Sequence, residues 1–120
     1  MTRTNASARA AGARFERAVA DYLAAHVSDL IDRRVKTGAK DKGDIAGLRH
    51  MGKRVVLECK DYGGRLLAGP WLREVDIERG NDDALIGAVI VKRRATTDPG
   101  DQVVVMTVRD LIALLTGERP

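Results

Sequence analysis

The 120-residue chain has few of the features that stabilise secreted or membrane-embedded proteins. It contains a single cysteine, Cys59, so no disulfide can form within the chain, which favours a reducing compartment. No apolar run is long enough to cross a bilayer, and the first twenty residues lack the continuous apolar segment of a secretory signal. We therefore expect a cytoplasmic protein that makes no contact with membranes.

Aromatic residues make up only 3% of the chain, so we expect a core of valine, leucine, isoleucine and alanine. The hydrophobic fraction of 44% is nevertheless ordinary for a globular protein. A chain of this length can bury one core without disulfides or metals. We predict a single domain over residues 1–120, in which residues 1–6 form a flexible tail.

Apolar periodicity and turn residues predict an α/β fold. Leu111, Leu114 and Leu115 are expected to face the core from the last helix. The predicted order, α-β-β-β-α-β-β-α, is a central mixed β-sheet flanked by helices. The predicted elements are a helix at 7–26, strands at 30–38, 44–48 and 54–62, a helix at 70–79, strands at 85–94 and 103–107, and a last helix that Thr107 caps.

The strand "RVVLECKDY" carries a glutamate and a lysine two positions apart, Glu58 and Lys60. Successive strand residues point to opposite faces, so Val56, Glu58 and Lys60 lie on the same side. One interpretation is a salt bridge that faces water. Asp44 offers another, because it begins the preceding strand and can meet Glu58 at one end of the sheet. Two carboxylates repel each other there unless a cation lies between them, and oxygen ligands suit Mg²⁺ or Mn²⁺.

The pattern "GDI…VVLECK" resembles the signature of the PD-(D/E)XK nuclease superfamily, in which an aspartate at a strand start precedes a strand with Glu-x-Lys. Chain length and element order are most similar to the small Holliday junction resolvases of archaeal and phage type. The resemblance extends over residues 12–106 and implies a restriction-endonuclease-like core. The sequence departs from the family at Gly43, where proline is usual.

This resemblance implies a magnesium-dependent endonuclease that hydrolyses phosphodiester bonds, most closely a Holliday junction resolvase of DNA recombination and repair. The implied Mg²⁺ ligands are Asp44, Glu58 and the Cys59 backbone carbonyl. Mn²⁺ is expected to substitute for Mg²⁺, and no other small-molecule cofactor is expected. Lys60 is expected to orient or deprotonate the attacking water. Glu16 is the candidate for the family's glutamate in the first helix, as a direct or water-mediated ligand.

The chain carries 21 lysines and arginines against 17 acidic residues, a net charge of +4 that permits binding to DNA phosphates. Two symmetric cuts across a four-way junction imply a two-fold homodimer. We expect its interface at Trp71, Leu72 and Val75 or on the exposed side of the sheet. The residues predicted to contact branched DNA are Arg14, Lys36, Lys40, Lys42, Arg65, Lys92, Arg93 and Arg94.

Two alternatives remain open at this point. The same chemistry suits a repair or restriction-like DNA nuclease, although the chain is too short to hold a separate sequence-reading domain. The chain can also be a DNA-binding module that kept the scaffold and lost catalysis, although intact Asp44, Glu58 and Lys60 argue against this alternative. A phage origin is as compatible with the resemblance as a cellular one.

Overall fold

The computed structural model describes residues 3–36 and 38–120, which form an α/β fold with a mixed four-stranded sheet and a small antiparallel pair of strands. The helices are α1, Asn5–His26; α2, Ala68–Asn81; and α3, Val108–Thr116. The strands are β1, Asp32–Arg33; β2, Ile45–Ala46; β3, Arg49–His50; β4, Lys53–Lys60; β5, Ile86–Val91; and β6, Val103–Val105. Within these described residues, no helix combines the length and the apolar character that spanning a bilayer requires.

β4 and β5 form the centre of the sheet, whose strand order is β3-β4-β5-β6. They run parallel, as the crossover through α2 requires, while β3 and β6 are antiparallel to their neighbours. The pair β1-β2 is joined to β4 by the N–H of Asp44, which donates to the Leu57 carbonyl at 2.9 Å. Four strands, β1 to β4, thus precede α2 in the described residues, one more than the sequence predicts.

The helices α1 and α2 cover opposite faces of β4. Alternation along the strand directs Leu57 toward Phe15 of α1 and Val56 toward Trp71 and Val75 of α2. Trp71 is 5% exposed and Val75 is 1% exposed. Trp71 and Val75 are therefore used within the core and are not free for a dimer interface, whereas Leu72 is half-buried.

The amino-terminal helix begins two residues earlier than predicted. The Thr4 hydroxyl accepts a hydrogen bond from the Ser7 N–H, and the Ser7 hydroxyl accepts one from the Thr4 N–H, both at 3.0 Å. This reciprocal capping box satisfies two helix-terminal donors and fixes the start of α1. Asn5 and Ala6 consequently belong to the helix and not to a tail, whereas residues 1–2 lie outside the described part of the chain.

The last helix, α3, packs through a face that differs from the predicted one. Thr107 caps it as expected, by accepting a hydrogen bond from the Asp110 N–H. Its buried residues are Asp110 and Ala113, however, while Leu111 and Leu115 are 43% and 73% exposed. The expectation that the leucines face the core is wrong, because a carboxylate bonded to the sheet takes the inward position.

Candidate functional site

An open cleft of about 1300 Å³ lies at the carboxyl end of β4. It is bounded by α1, by the segment 32–36, by the turn 61–65 and by the first half of α2. In α/β sheets, the carboxyl ends of parallel strands are where connecting segments leave room for ligands. The acidic residues that line this cleft are Glu16, Asp32, Asp41, Asp44, Glu58, Asp61 and Glu74.

Asp44 is held rigidly beside β4 and is 4% exposed. Its carbonyl accepts a hydrogen bond from the Arg34 N–H at 2.8 Å. Its Oδ2 accepts one from the Cys59 N–H, also at 2.8 Å, and its Oδ1 lies 3.9 Å from Lys36 Nζ. The carboxylate is thus attached to the strand at the residue that follows Glu58.

The backbone of Gly43 allows Asp44 to approach β4 this closely. Its φ of 89° lies in the left-handed region, which proline, with a φ of about −65°, cannot adopt. A Cβ at this position would lie 2.7 Å from Val56 Cγ1 and 2.9 Å from the Leu57 carbonyl oxygen. Glycine at position 43 is therefore a requirement of this backbone.

Glu58 is a buried carboxyl with one unsatisfied oxygen. It is 4% exposed, its Oε1 has no hydrogen-bond partner, and its Oε2 lies 3.8 Å from Lys60 Nζ. Burial, reinforced by the neighbouring Asp44 and Glu74, raises the pKa of Glu58 to about 12. A carboxyl in such surroundings retains a proton unless a cation replaces it.

Lys60 is fixed by a carboxylate that the sequence analysis did not identify. Its Nζ donates to both oxygens of Glu74, at 3.0 and 3.1 Å, and lies 5.8 Å from the ring centroids of Tyr62 and Trp71. Burial lowers the pKa of Lys60, but the hydrogen bond to Glu74 and the charge of Glu74 outweigh burial and raise it. Lys60 is therefore an ammonium group, suited to orienting an anion or water rather than to removing a proton.

The backbone carbonyl of Cys59 is directed toward Asp44. The Lys60 carbonyl accepts a hydrogen bond from the Lys92 N–H, which places the polar groups of Lys60 on the β5 side. Successive strand residues point their backbone groups to opposite sides, so those of Cys59 face β2. The Cys59 N–H does so by donating to Asp44. This carbonyl and the Asp44 carboxylate are thus on the same edge of β4.

Glu16 reaches the cleft from α1 but is paired with an arginine. Its Oε1 accepts a hydrogen bond from Arg33 at 3.1 Å. Arg9 and Ala13, seven and three residues earlier, line the same cleft, as helical spacing dictates. The structure therefore places Glu16 at the site's wall, with its charge balanced by Arg33.

Asp41 and Glu78 are acidic residues that sequence reasoning missed. One carboxylate oxygen each from Asp41, Glu58 and Glu78 lies within 4.8 Å of the other two. Within residues 3–36 and 38–120, this trio is the one group of three or more potential metal-ligating residues whose ligand atoms all lie within 4.8 Å of one another. Asp44 is not a member of this trio, so Glu58 belongs both to the trio and to the pair that it forms with the neighbouring Asp44.

The inward position of Glu78 has a signal in the sequence. Trp71 and Val75 define the inner face of α2, and continuing their spacing places Glu74 and Glu78 on that same face. Glu78 is indeed 2% exposed. Burial, followed by the charge of Asp41, raises the pKa of Glu78 to about 7. The signal is readable only after the apolar face of α2 is known.

The basic residues predicted to bind DNA are only partly brought together. Lys36 and Arg65 line the cleft. Lys40 and Lys42 are exposed on the adjoining loop, and Arg14 is exposed on α1 but is not part of the cleft wall. The cleft therefore contains a smaller share of these cations than expected.

The basic run after β5 lies outside the cleft wall and is largely engaged by its own surroundings. Lys92 Nζ donates to the Thr96 carbonyl at 2.8 Å, and Arg94 Nε donates to the Gly63 carbonyl at 2.7 Å. Arg93 is exposed. The cleft is instead lined by other arginines, which supply its positive charge: Arg3, Arg9, Arg17, Arg33 and Arg34.

Comparison of the chain with protein-family models, curated proteins and solved structures finds no match. The chemistry must therefore be argued from the side chains themselves. They combine buried carboxylates, a fixed ammonium group and a basic rim around an open cleft.

Proposed function

We propose that this chain is a magnesium-dependent DNA endonuclease with a restriction-endonuclease-like core. The observation that carries the proposal is the meeting of Asp44, Glu58 and Lys60 at one end of β4, beside an open cleft. Asp44 and Glu58 supply closely spaced oxygens, and Lys60 supplies a fixed positive charge. This combination suits hydrolysis of a phosphodiester, whose transition state gains negative charge.

The donor set fits a hard divalent cation. Asp44, Glu58 and the Cys59 carbonyl offer oxygen atoms only, and the buried Oε1 of Glu58 lacks a partner. These three residues would hold Mg²⁺, and Glu16, paired with Arg33, would reach it through water. A bound Mg²⁺ polarises the scissile phosphate and lowers the pKa of the attacking water.

The remaining groups position the substrate. Lys60, held by Glu74, places its ammonium where it can bind a non-bridging phosphate oxygen. The hydrogen bond from Cys59 keeps Asp44 in one orientation. Arginines on the cleft wall would contact the phosphates on either side of the cut, and such contacts read backbone shape rather than base sequence.

Among DNA substrates we propose a four-way junction. Contacts from the cleft arginines to phosphates would favour recognition of branched backbone shape. Paired cuts need two sites and hence a homodimer. The edge strand β6 and the helix α3 offer an aliphatic surface for a second copy, in which Val104, Val108 and Leu115 are 54%, 71% and 73% exposed.

The test is a cleavage assay with Mg²⁺ in which four-way junction, flap, single-stranded and duplex DNA are offered in parallel. We expect paired symmetric nicks on the junction only. Asp44→Asn, Glu58→Gln and Lys60→Ala should each lower the rate about 100-fold or more while DNA binding persists. The exposed Asp29→Asn serves as the matched control and should cut like the wild type.

The outcomes separate the candidate functions. Full activity in any of the three site variants removes the assignment of that residue and of the cation site. Cutting of flap or duplex DNA in place of the junction selects a repair or restriction-like nuclease. Binding without cleavage of any substrate, at saturating Mg²⁺ or Mn²⁺, selects a non-catalytic DNA-binding module.

A further inference from the structure

We propose that Asp41, Glu58 and Glu78 form a divalent-cation site of their own on the α2 side of β4. Its ligands come from three separate elements: the loop before β2, the strand β4 and the helix α2. The site is distinct from the position between Asp44 and the Cys59 carbonyl, and it shares only Glu58 with it. It stands on these carboxylates alone and does not depend on the reaction proposed above.

The spacing of the three carboxylates suits a cation. Two oxygens bound to the same Mg²⁺ or Mn²⁺ at about 2.1 Å lie at most about 4.2 Å apart, and Ca²⁺ allows slightly more. The oxygens of the trio lie within 4.8 Å of one another. Shifts of these side chains by a few tenths of an ångström would therefore bring the three oxygens within coordination distance of one cation.

An independent observation is the unsatisfied state of two of these residues. Glu78 is 2% exposed and Glu58 is 4% exposed, yet the Oε1 of each has no hydrogen-bond partner. An unpaired buried polar atom of this kind costs about 1–3 kcal/mol. Within the described residues, the buried Asp82 and Asp110 instead have arginine partners. Within the same residues, Glu78 has no ion pair, and the nearest cation to Glu58, Lys60 Nζ, lies on its Oε2 side at 3.8 Å.

Asp41 is held by one contact to α2 and by one within its own loop. Asn81, near the end of that helix, donates from Nδ2 to the Asp41 carbonyl at 2.8 Å, and Asp41 Oδ1 accepts from the Gly43 N–H at 2.8 Å. The Asp41 residue remains exposed, so a cation can enter from the loop side with part of its water shell. Three carboxylates without nitrogen or sulfur donors favour Mg²⁺, Mn²⁺ or Ca²⁺ over zinc.

The basic side chains nearest to these carboxylates do not satisfy the trio. Lys60 Nζ approaches Glu58 from the Oε2 side, at 3.8 Å, and bonds to Glu74. Lys36 Nζ is closest to Asp44, at 3.9 Å. Neither lysine satisfies the Oε1 of Glu58 or that of Glu78, and a proton or a cation must keep these carboxylates together.

The experiment is a titration of the metal-free full chain with Mn²⁺, followed by electron paramagnetic resonance of the free ion. Glu78→Gln keeps the shape of the side chain and removes its charge. We expect it to weaken Mn²⁺ binding at this site at least about tenfold, which is about 1.4 kcal/mol. Glu118→Gln, an exposed glutamate near the carboxyl end, is the matched control and should bind like the wild type.

Asp41→Asn is the second variant, because an exposed loop residue can be changed without a threat to folding. It should show the same loss of Mn²⁺ affinity. Binding equal to the wild type in either Glu78→Gln or Asp41→Asn overturns the site. A chain that binds Mn²⁺ through these residues but cuts no DNA contradicts the proposed function and leaves this inference intact.

Discussion

Asp110 and Glu58 are both buried carboxylates, 3% and 4% exposed, but their surroundings are opposite in character. Asp110 accepts hydrogen bonds from the Gly87 N–H, from the Thr107 hydroxyl and from Arg119. Burial raises the pKa of Asp110, yet these partners outweigh burial and lower it. Glu58 lies among other carboxyls, keeps one oxygen unpaired, and has a pKa raised to about 12.

The two carboxylates differ in whether their surroundings stabilise or destabilise the charged form. Asp110 connects α3 to β5, and every contact it makes lowers the energy of its charged form. Glu58 and its neighbours raise that energy instead, so the folded protein bears a cost that packing does not explain. Such a cost at the wall of a cleft indicates a site built for an added charge.

The largest expected effect is on the structural side of this comparison. Asp110→Ala removes three hydrogen bonds and leaves Arg119 without its carboxylate partner, so we expect a loss of about 3–5 kcal/mol in the free energy of unfolding. Urea denaturation measures it. Mn²⁺ affinity of the folded fraction should be unchanged, and a loss of that affinity would show that the two carboxylates are not independent.

The next effect concerns pH. Glu58 has a folded pKa above its unfolded value, so the folded chain binds the extra proton between about pH 4.5 and 12. Stability of the metal-free protein should therefore fall as pH rises from 5 to 9, because each pH unit over which only the folded chain holds the proton costs up to about 1.4 kcal/mol. Asp110, with a lowered pKa, contributes stability that is lost only under acid conditions, below the ordinary aspartate range. Urea denaturation at a series of pH values measures the free energy of unfolding. A free energy that does not change with pH above 5 would contradict the raised pKa of Glu58.

Replacing the functional carboxylate should have a smaller effect of opposite sign to that of Asp110→Ala. Glu58→Gln introduces an amide that can donate to nearby carboxylates and removes the need for a proton. We expect the metal-free protein to gain about 1 kcal/mol at pH 8, which is several degrees in Tm for a domain of this size. The gain should shrink at pH 5. A loss of stability at both pH values would assign Glu58 to the structural class.

The smallest expected effect is at Glu74, which holds Lys60 without belonging to either set of ligands. Glu74→Gln keeps one hydrogen bond to Lys60 Nζ but removes the charge. We expect the rate of DNA cleavage to fall by only about threefold to tenfold, because Lys60 keeps its charge next to Glu58. Initial rates at saturating Mg²⁺ measure this, with Asp76→Asn on the exposed side of α2 as the control. A loss as large as that of Lys60→Ala would place Glu74 among the essential groups.

Much of the architecture was readable from local patterns. The faces of β4, the capping by Thr107 and the position of α2 all follow from periodicity and capping chemistry, which act over a few residues. The pair Asp44 and Glu58 was likewise readable, because a strand start and a following strand define one end of a sheet. The sequence predicted the proximity of two carboxylates, and the structure places Asp44 just before β2, hydrogen-bonded to β4 at the residue after Glu58.

The remaining features depend on packing that no local pattern encodes. The inward turn of Asp110 was missed because leucines at helical spacing normally indicate the buried face. Glu78 was missed because a glutamate on an amphipathic helix normally faces water. In both helices a buried carboxylate occupies a position where an apolar residue is expected. Asp110 of α3 does so because it bonds to β5, and Glu78 of α2 does so beside Glu58 and Asp41. Only the three-dimensional neighbours distinguish these two reasons.

The most direct test of the claim that Glu58 is held for a cation is calorimetric titration of the wild type with Mn²⁺ at pH 7.5, in two buffers of different ionisation enthalpy. We expect Mn²⁺ binding to be accompanied by proton release, because the cation replaces the proton that Glu58 retains as a result of its raised pKa. Glu58→Gln should show neither binding nor release. Absence of Mn²⁺ binding in the wild type, or equal binding in Glu58→Gln, would contradict the account.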